Sequence, residues 1–195
     1  LDVAKLEQDF IDACKVPLIW VDHHGPSERT GLKYFNPRLN KQDSNIPTTY
    51  LCYKAVKQDL WIAMLGSIAD YYMPDFIDEF KKKYPDLMDN EKSVEDIYFK
   101  TELGKLIKIF SFCLKGKTSD VMKSMKVLTR IKSPYEILNQ ESAGGKFIFK
   151  KYEKINMLYD SLLKDAVKNH DKGKILVYTY SEDKMSFTGD LSNEL

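Results

Sequence analysis

Histidine, cysteine and tryptophan are scarce in this 195-residue chain, with three, three and two copies. The cysteines, Cys14, Cys52 and Cys113, are odd in number, far apart and in no CxxC pattern. That excludes a disulfide framework and a cysteine-based zinc ribbon, and it fits a reducing compartment. No apolar run approaches the ~18 residues needed to cross a bilayer, and no signal-peptide pattern is present, so the expected location is cytoplasmic. Internal repeats and low-complexity tracts are also missing. What remains is 43% hydrophobic and 30% charged, with a net charge of +1, the composition of a globular chain. Leu1 stands where a Met would open a complete protein, and "MSFTGDLSNEL" stops where a helix begins, so the chain is expected to be an excerpt.

The pattern along the chain is α/β. Leu1–Val3 reads as the end of a strand, residues 4–14 as a helix with Leu6, Phe10, Ile11 and Cys14 at helical spacing, and Pro17–Asp22 as a buried strand. Strand, helix and strand in so short a span predict a parallel βαβ unit. Residues 25–46 read as loop. Helices follow from Pro47, from Asp59 as a cap, from Pro74, over 93–114, from Thr118 or Ser119 to about 131, and from Ser133-Pro134. Ala143-Gly144-Gly145 reads as a break. Beyond it Ile148, Tyr152, Ile155, Tyr159, Leu162 and Ala166 form a coiled-coil-like seam on one long helix, and "KILVYTYS" then starts a new strand.

Two of the three histidines are adjacent, in "LIWVDHHGP". Ligands of parallel sheets gather beyond the carboxyl ends of strands. Asp2 and Asp22 fall near such ends, so Asp2, Asp22, His23 and His24 are expected to converge on one crevice. Carboxylates with imidazoles suit a divalent first-row metal such as manganese. "GSIAD" brings a further carboxylate, Asp70, behind the small residues Gly66 and Ala69. Arg38, in "NPR", has the planar fork that suits phosphate oxygens. From Lys100 to Lys132 there are nine Lys or Arg against Glu102 and Asp120, a candidate path for a nucleic-acid backbone. Lys115, Lys117 and Arg130 are its candidate phosphate contacts, whereas Phe112 belongs to the apolar, core-facing side.

"VDHHGP" resembles the defining motif of the DHH phosphoesterase family. Asp2, then Asp22-His23-His24, then Asn36-Pro37, then "GSIAD" ending in Asp70 resemble the second to fourth motifs of its RecJ-like branch, especially the archaeal members, in order and spacing. "ILVYTYS…MSFTGDLSNEL" resembles the opening of the DHH-associated C-terminal domain. The resemblance implies a DHH domain over 1–140 with a helical part at 74–140, a connecting helix over 141–172, and the start of a substrate-binding α/β domain over 173–195. The family's DxD motif would lie before Leu1, and its glycine-rich substrate motif after Leu195.

The resemblance further implies a metal-dependent phosphodiester hydrolase, a RecJ-like exonuclease on single-stranded DNA or RNA. Two manganese ions, with magnesium as an alternative, would be held by Asp2, His23 and Asp70. Asp22 would orient His23, and His24 would face the scissile phosphate. Relatives in the family also hydrolyse short oligonucleotides or cyclic dinucleotides, or serve as non-catalytic replication scaffolds. A GINS-type replication complex is therefore an expected partner alongside single-stranded nucleic acid, and a membrane is not.

Overall fold

The computed structural model describes residues 3–89, 93–168, 175–181 and 185–195. The described residues are mostly helical, with a small two-stranded parallel sheet among them, and the chain divides into two compact units, Leu1–Leu103 and Gly104–Leu195.

In the first unit, β1 (Ile19–Val21) pairs in parallel with β2 (Lys33–Phe35), Trp20 opposite Tyr34. The ladder continues beyond both strands, with Lys33 N donating to Leu18 O at 2.9 Å and Asp22 N to Phe35 O at 3.0 Å. β1 falls where the apolar run predicts it, but its partner does not. Of the expected opening strand, Leu1 and Asp2 lie outside the described residues and Val3 is in no strand. The partner lies in the stretch 25–46 that reads as loop. Lys33 and Phe35 are exposed and only Tyr34 turns inward, so three residues carry no burial signal that periodicity could detect. The Tyr34 ring stacks on the fully buried Trp20 at 4.3 Å, a contact worth ~0.5–1.5 kcal/mol beyond its area. Leu6 and Ile11, the latter from α1 (Gln8–Ala13), complete this small core.

Two helices, α2 (Thr48–Val56) and α3 (Leu60–Ala69), form a tight hairpin turned by Lys57 and Asp59, both left-handed. Asp59 does not cap α3: its side chain makes no cap bond. A capping oxygen reaches the first-turn N–H groups from an extended backbone, and at φ 52° Asp59 has left that region. The helices approach closely at Gly66, where a Cβ would sit 2.5 Å from the Thr49 side chain. α3 also packs on α4 (Ile77–Lys83) and on α5 (Val94–Lys100), whose first turn is capped by Ser93. The apolar stripe over 93–114 predicts one helix, but α5 ends at Thr101. Thr101 is extended, and its hydroxyl donates to Ile97 O at 2.6 Å, taking over a carbonyl that a continuing helix would use. The chain resumes as α6 (Glu102–Cys113).

The second unit packs α6, α7 (Thr118–Leu128), α8 (Pro134–Leu138) and α10 (Thr188–Glu194) around the 26-residue α9 (Ala143–Lys168). The predicted seam of α9 is the buried one: Ile148, Ile155, Tyr159 and Ala166 are buried, with Tyr152 and Leu162 half-buried between them. Phe112 is fully buried, as its place on the apolar face predicts. The break read at 143–145 ends earlier, at Ser142, whose hydroxyl accepts from Gly145 N at 3.0 Å. Position 145, inside the helix, takes a glycine because a Cβ there would overlap the carbonyl oxygen of Glu136 in α8.

Residues 175–181 form no strand, although Leu176, Tyr178 and Tyr180 are half-buried in strict alternation with exposed neighbours. Side chains anchor the segment instead. The Tyr178 hydroxyl donates to Asp165 at 3.0 Å, and the Tyr180 hydroxyl accepts from Phe187 N at 2.9 Å. Alternation creates a buried face, but a strand also needs a backbone partner.

Burial pushes the Cys113 thiol up to about 11, and its sulfur lies 3.5 Å from Ile148 O. Cys52 is exposed. At pH 8 iodoacetamide should therefore alkylate Cys52 and spare Cys113 in the folded protein, as read by peptide mass mapping. Equal labelling of both would show the α6–α9 interface to be open. Gly145→Ala should lower stability by ~1–3 kcal/mol in urea, because overpacking against a backbone carbonyl has no side chain to displace. Gly25→Ala, with nothing within 4 Å of the added methyl, should not.

Candidate functional site

The carboxyl ends of the two parallel strands lie side by side, and each continues into a polar residue: Asp22 after β1 and Asn36 after β2. Asp22 is fully buried. An ionised carboxylate at such a position requires donors around it. Oδ2 of Asp22 accepts from the backbone N of His24 at 3.2 Å, an Asx-type turn spanning residues 22 to 24, and Oδ1 meets His24 Nδ1 at 2.7 Å. Asn36 Nδ2 adds a third contact, to Asp22 Oδ2 at 3.3 Å.

The sequence reading pairs Asp22 with His23, but the ring held by Asp22 is that of His24. The Asx turn explains the difference: it folds residue 24 back over the carboxylate that accepts its N–H. The His24 side chain is 44% exposed while its carboxylate partner is wholly buried. With Asp22 ionised, Nδ1 is the donor, and the lone pair of the neutral imidazole is placed on Nε2. A carboxylate-oriented imidazole of this kind is able to serve as a metal ligand or as a group addressing substrate. The His23 ring lies edge-on to it, with centroids 4.7 Å apart.

Asn36 is the residue that ties the site together. Its Nδ2 also donates to His24 O at 3.0 Å and to the Tyr34 hydroxyl at 2.8 Å, while its Oδ1 accepts from Arg38 N at 2.9 Å and opens the 3₁₀ turn Pro37–Leu39. Two N–H bonds serve three acceptors, so the longest contact, to Asp22, is the weakest. The Asn36-Pro37 pair marks the position in the sequence, but the role of the side chain as a hub, and the part played by Tyr34, are visible only in the fold.

The other candidate residues are placed as follows. Asp2 lies outside the described residues. Asp70 is exposed at the C-terminal end of α3, its N–H donating to Gly66 O at 3.2 Å. Among the described residues no three His, Cys, Asp or Glu come together as a metal site; of the expected set, His23 and Asp70 are described and Asp2 is not. The donor chemistry of the turn, two imidazoles with one oriented by a buried carboxylate, is of the kind that first-row divalent metals take. Arg38 donates from Nε to Ser44 O at 3.1 Å, which steadies its loop and leaves the Nη groups for other contacts.

In the second unit, Lys115 is not a solvent-facing cation. It forms an ion pair with Asp190 at 2.8 Å and donates to Ser186 O at 2.8 Å, with both charged side chains four-fifths buried. Lys108 likewise pairs with Glu194 at 3.1 Å, and the Tyr159 hydroxyl donates to the same carboxylate at 2.6 Å. These contacts latch α10 in place. The charge of Lys115, an expected phosphate contact, is thus engaged by a partner 75 residues away in the sequence. Lys117 and Arg130 are exposed, before and after α7.

No protein-family model, curated protein or solved structure matches this chain.

Asn36→Ala should destabilise the first unit by ~1–3 kcal/mol, the cost of leaving buried acceptors short of a donor. Urea unfolding checks this against Asn40→Ala, an exposed neighbour expected to change stability by less than ~0.5 kcal/mol. Equal effects would mean that Asn36 is not the hub.

Proposed function

We propose that this protein is a manganese-dependent phosphodiester hydrolase acting on single-stranded nucleic acid or its short fragments, in the manner of a RecJ-like DHH phosphoesterase. One observation carries the reading: a buried aspartate orients a half-exposed histidine at the carboxyl ends of two parallel strands. Burying a carboxylate is costly, and a chain with three histidines places two of them at this one turn. The ordered resemblance of "VDHHGP", Asn36-Pro37 and "GSIAD" supports the same reading.

Asp2, His23 and Asp70 would hold the metal, which when bound supplies a water acidified to hydroxide near neutral pH. The remaining work falls to side chains of the chain itself. Asp22 fixes the tautomer and orientation of His24. Protonated on Nε2 as well, with Nδ1–H kept on Asp22, His24 would direct its Nε2–H toward a phosphate oxygen, stabilising charge there or passing that proton to the leaving oxygen. Arg38, carried on the Asn36-anchored turn, clamps a second phosphate oxygen. The internal engagement of Lys115 favours short substrates over a long polymer path, since one of the three cations proposed for that path is already paired.

The test is Mn²⁺-dependent release of nucleotides from labelled single strands and dinucleotides by the protein. His24→Ala should lower turnover ~10²–10³-fold, the usual effect of removing one transition-state donor, with little change in Mn²⁺ affinity by calorimetry. His23→Ala should weaken metal binding first. No hydrolysis of either substrate by the protein extended upstream to include the DxD motif expected before Leu1, or full turnover by the His24→Ala variant of that extended protein, would overturn the proposal. Replacing Lys117 and Arg130 with Gln should flatten the log-log salt slope of single-strand binding by roughly 1.4 units if both contact phosphates, at ~0.7 per contact. An unchanged slope would favour the short-substrate enzyme.

A further inference from the structure

A cleft of about 630 Å³ opens beside the crossover between β1 and β2, with Pro26, Ser27, Glu28, Arg29, Tyr34 and Leu39 among its lining residues. Its size falls within the range of small-molecule sites, roughly 300–1,000 Å³. Three features indicate what it takes. The Tyr34 ring is backed by Trp20 and its hydroxyl is held by Asn36, so an aromatic wall is fixed in place before any ligand arrives. Arg29 donates from Nε to Leu6 O at 2.5 Å and from Nη1 to Glu28 O at 2.7 Å. Those bonds use two of its five N–H groups and immobilise the guanidinium. The Ser27 hydroxyl oxygen is buried and has no hydrogen-bond partner among the described residues. A buried polar atom left in that state is unfavourable until something supplies a partner.

We propose that this cleft is a nucleoside pocket, holding the nucleoside attached to the phosphate that His24 addresses; the proposal rests on the hydrolase reading above. The base lies against Tyr34, with Pro26 and Leu39 as further apolar surface. Arg29 meets oxygen or ring-nitrogen acceptors, the Ser27 hydroxyl joins it by rotating about χ1 out of its buried position, and Glu28 accepts from an amino group or a ribose hydroxyl. A bare phosphate fits these walls poorly: the Glu28 carboxylate opposes an anion, and the apolar surface would go unused. The link to the chemistry is direct. Tyr34 is hydrogen-bonded to Asn36, and Asn36 to His24 O, so one amide side chain holds both the aromatic wall of the cleft and the turn that carries His24.

The experiment is an NMR titration of the whole chain with AMP and, separately, with inorganic phosphate. AMP should shift the Ser27, Arg29 and Tyr34 signals, and phosphate should not. Ser27→Ala should weaken AMP binding about three- to tenfold, the effect of one lost hydrogen bond, while leaving thermal stability unchanged or raised, because the residue it removes has an unsatisfied hydroxyl. Tyr34→Leu should weaken it about tenfold or more through lost stacking. The proposal is overturned if AMP leaves these signals unmoved, if phosphate alone moves them equally, or if Ser27→Ala binds AMP as tightly as the parent. The hydrolase reading is assayed separately, with the upstream-extended protein, on bis(p-nitrophenyl) phosphate with Mn²⁺, a diester without a nucleoside. AMP seated in the cleft with no turnover of this diester keeps the pocket and removes the hydrolase. Turnover without AMP in the cleft does the reverse.

Discussion

A carboxylate with no access to water must be surrounded by donors, and Asp22 obtains them from the two strand ends that meet at it. His24 supplies a backbone N–H and a ring nitrogen, and Asn36 supplies an amide. The constraint acts in both directions. The donors make the buried charge tolerable, and the charge dictates where the donors stand. Because Asp22 N also continues the ladder to Phe35, the side-chain cluster and the backbone pairing of the sheet support one another. The three-residue strand β2 is short by any standard, and the hydrogen bonds of Asn36 just beyond it help to explain why it pairs at all.

That arrangement determines what the turn can do. An imidazole with Nδ1 committed to a carboxylate has a defined tautomer and a ring that cannot swing freely. The same Asn36 that supports it also holds the Tyr34 hydroxyl and the start of the turn bearing Arg38. An aromatic wall, an oriented histidine and an arginine loop are thus joined through one amide side chain. The second unit is held together differently, by the packing of α9 and by the paired charges of Lys108 and Lys115 with α10. There lysines that read as a basic surface act as internal ties.

What the sequence determined by itself is local. The faces of α6 and α9 follow from 3.6-residue spacing, the caps at Ser93 and Ser133 from side chains that reach their own first turns, and the end of β1 from an apolar run closing on a polar turn. The presence of a buried-strand-to-histidine turn was legible because each of its parts is contiguous. Tertiary structure decided everything that depends on a distant partner. β2 exists because Trp20 lies opposite Tyr34, and its three residues bear no periodic signature. Residues 175–181 alternate as a strand would, yet side-chain anchors rather than a backbone ladder hold them. Asp22 chose His24 over His23 through the fold of an Asx turn, and Lys115 lost its freedom to Asp190 in a helix near the end of the chain. The reason is the same in each case: propensity and periodicity are properties of neighbours in sequence, whereas pairing, ion-pair choice and hydrogen-bond satisfaction are settled by which groups burial brings together.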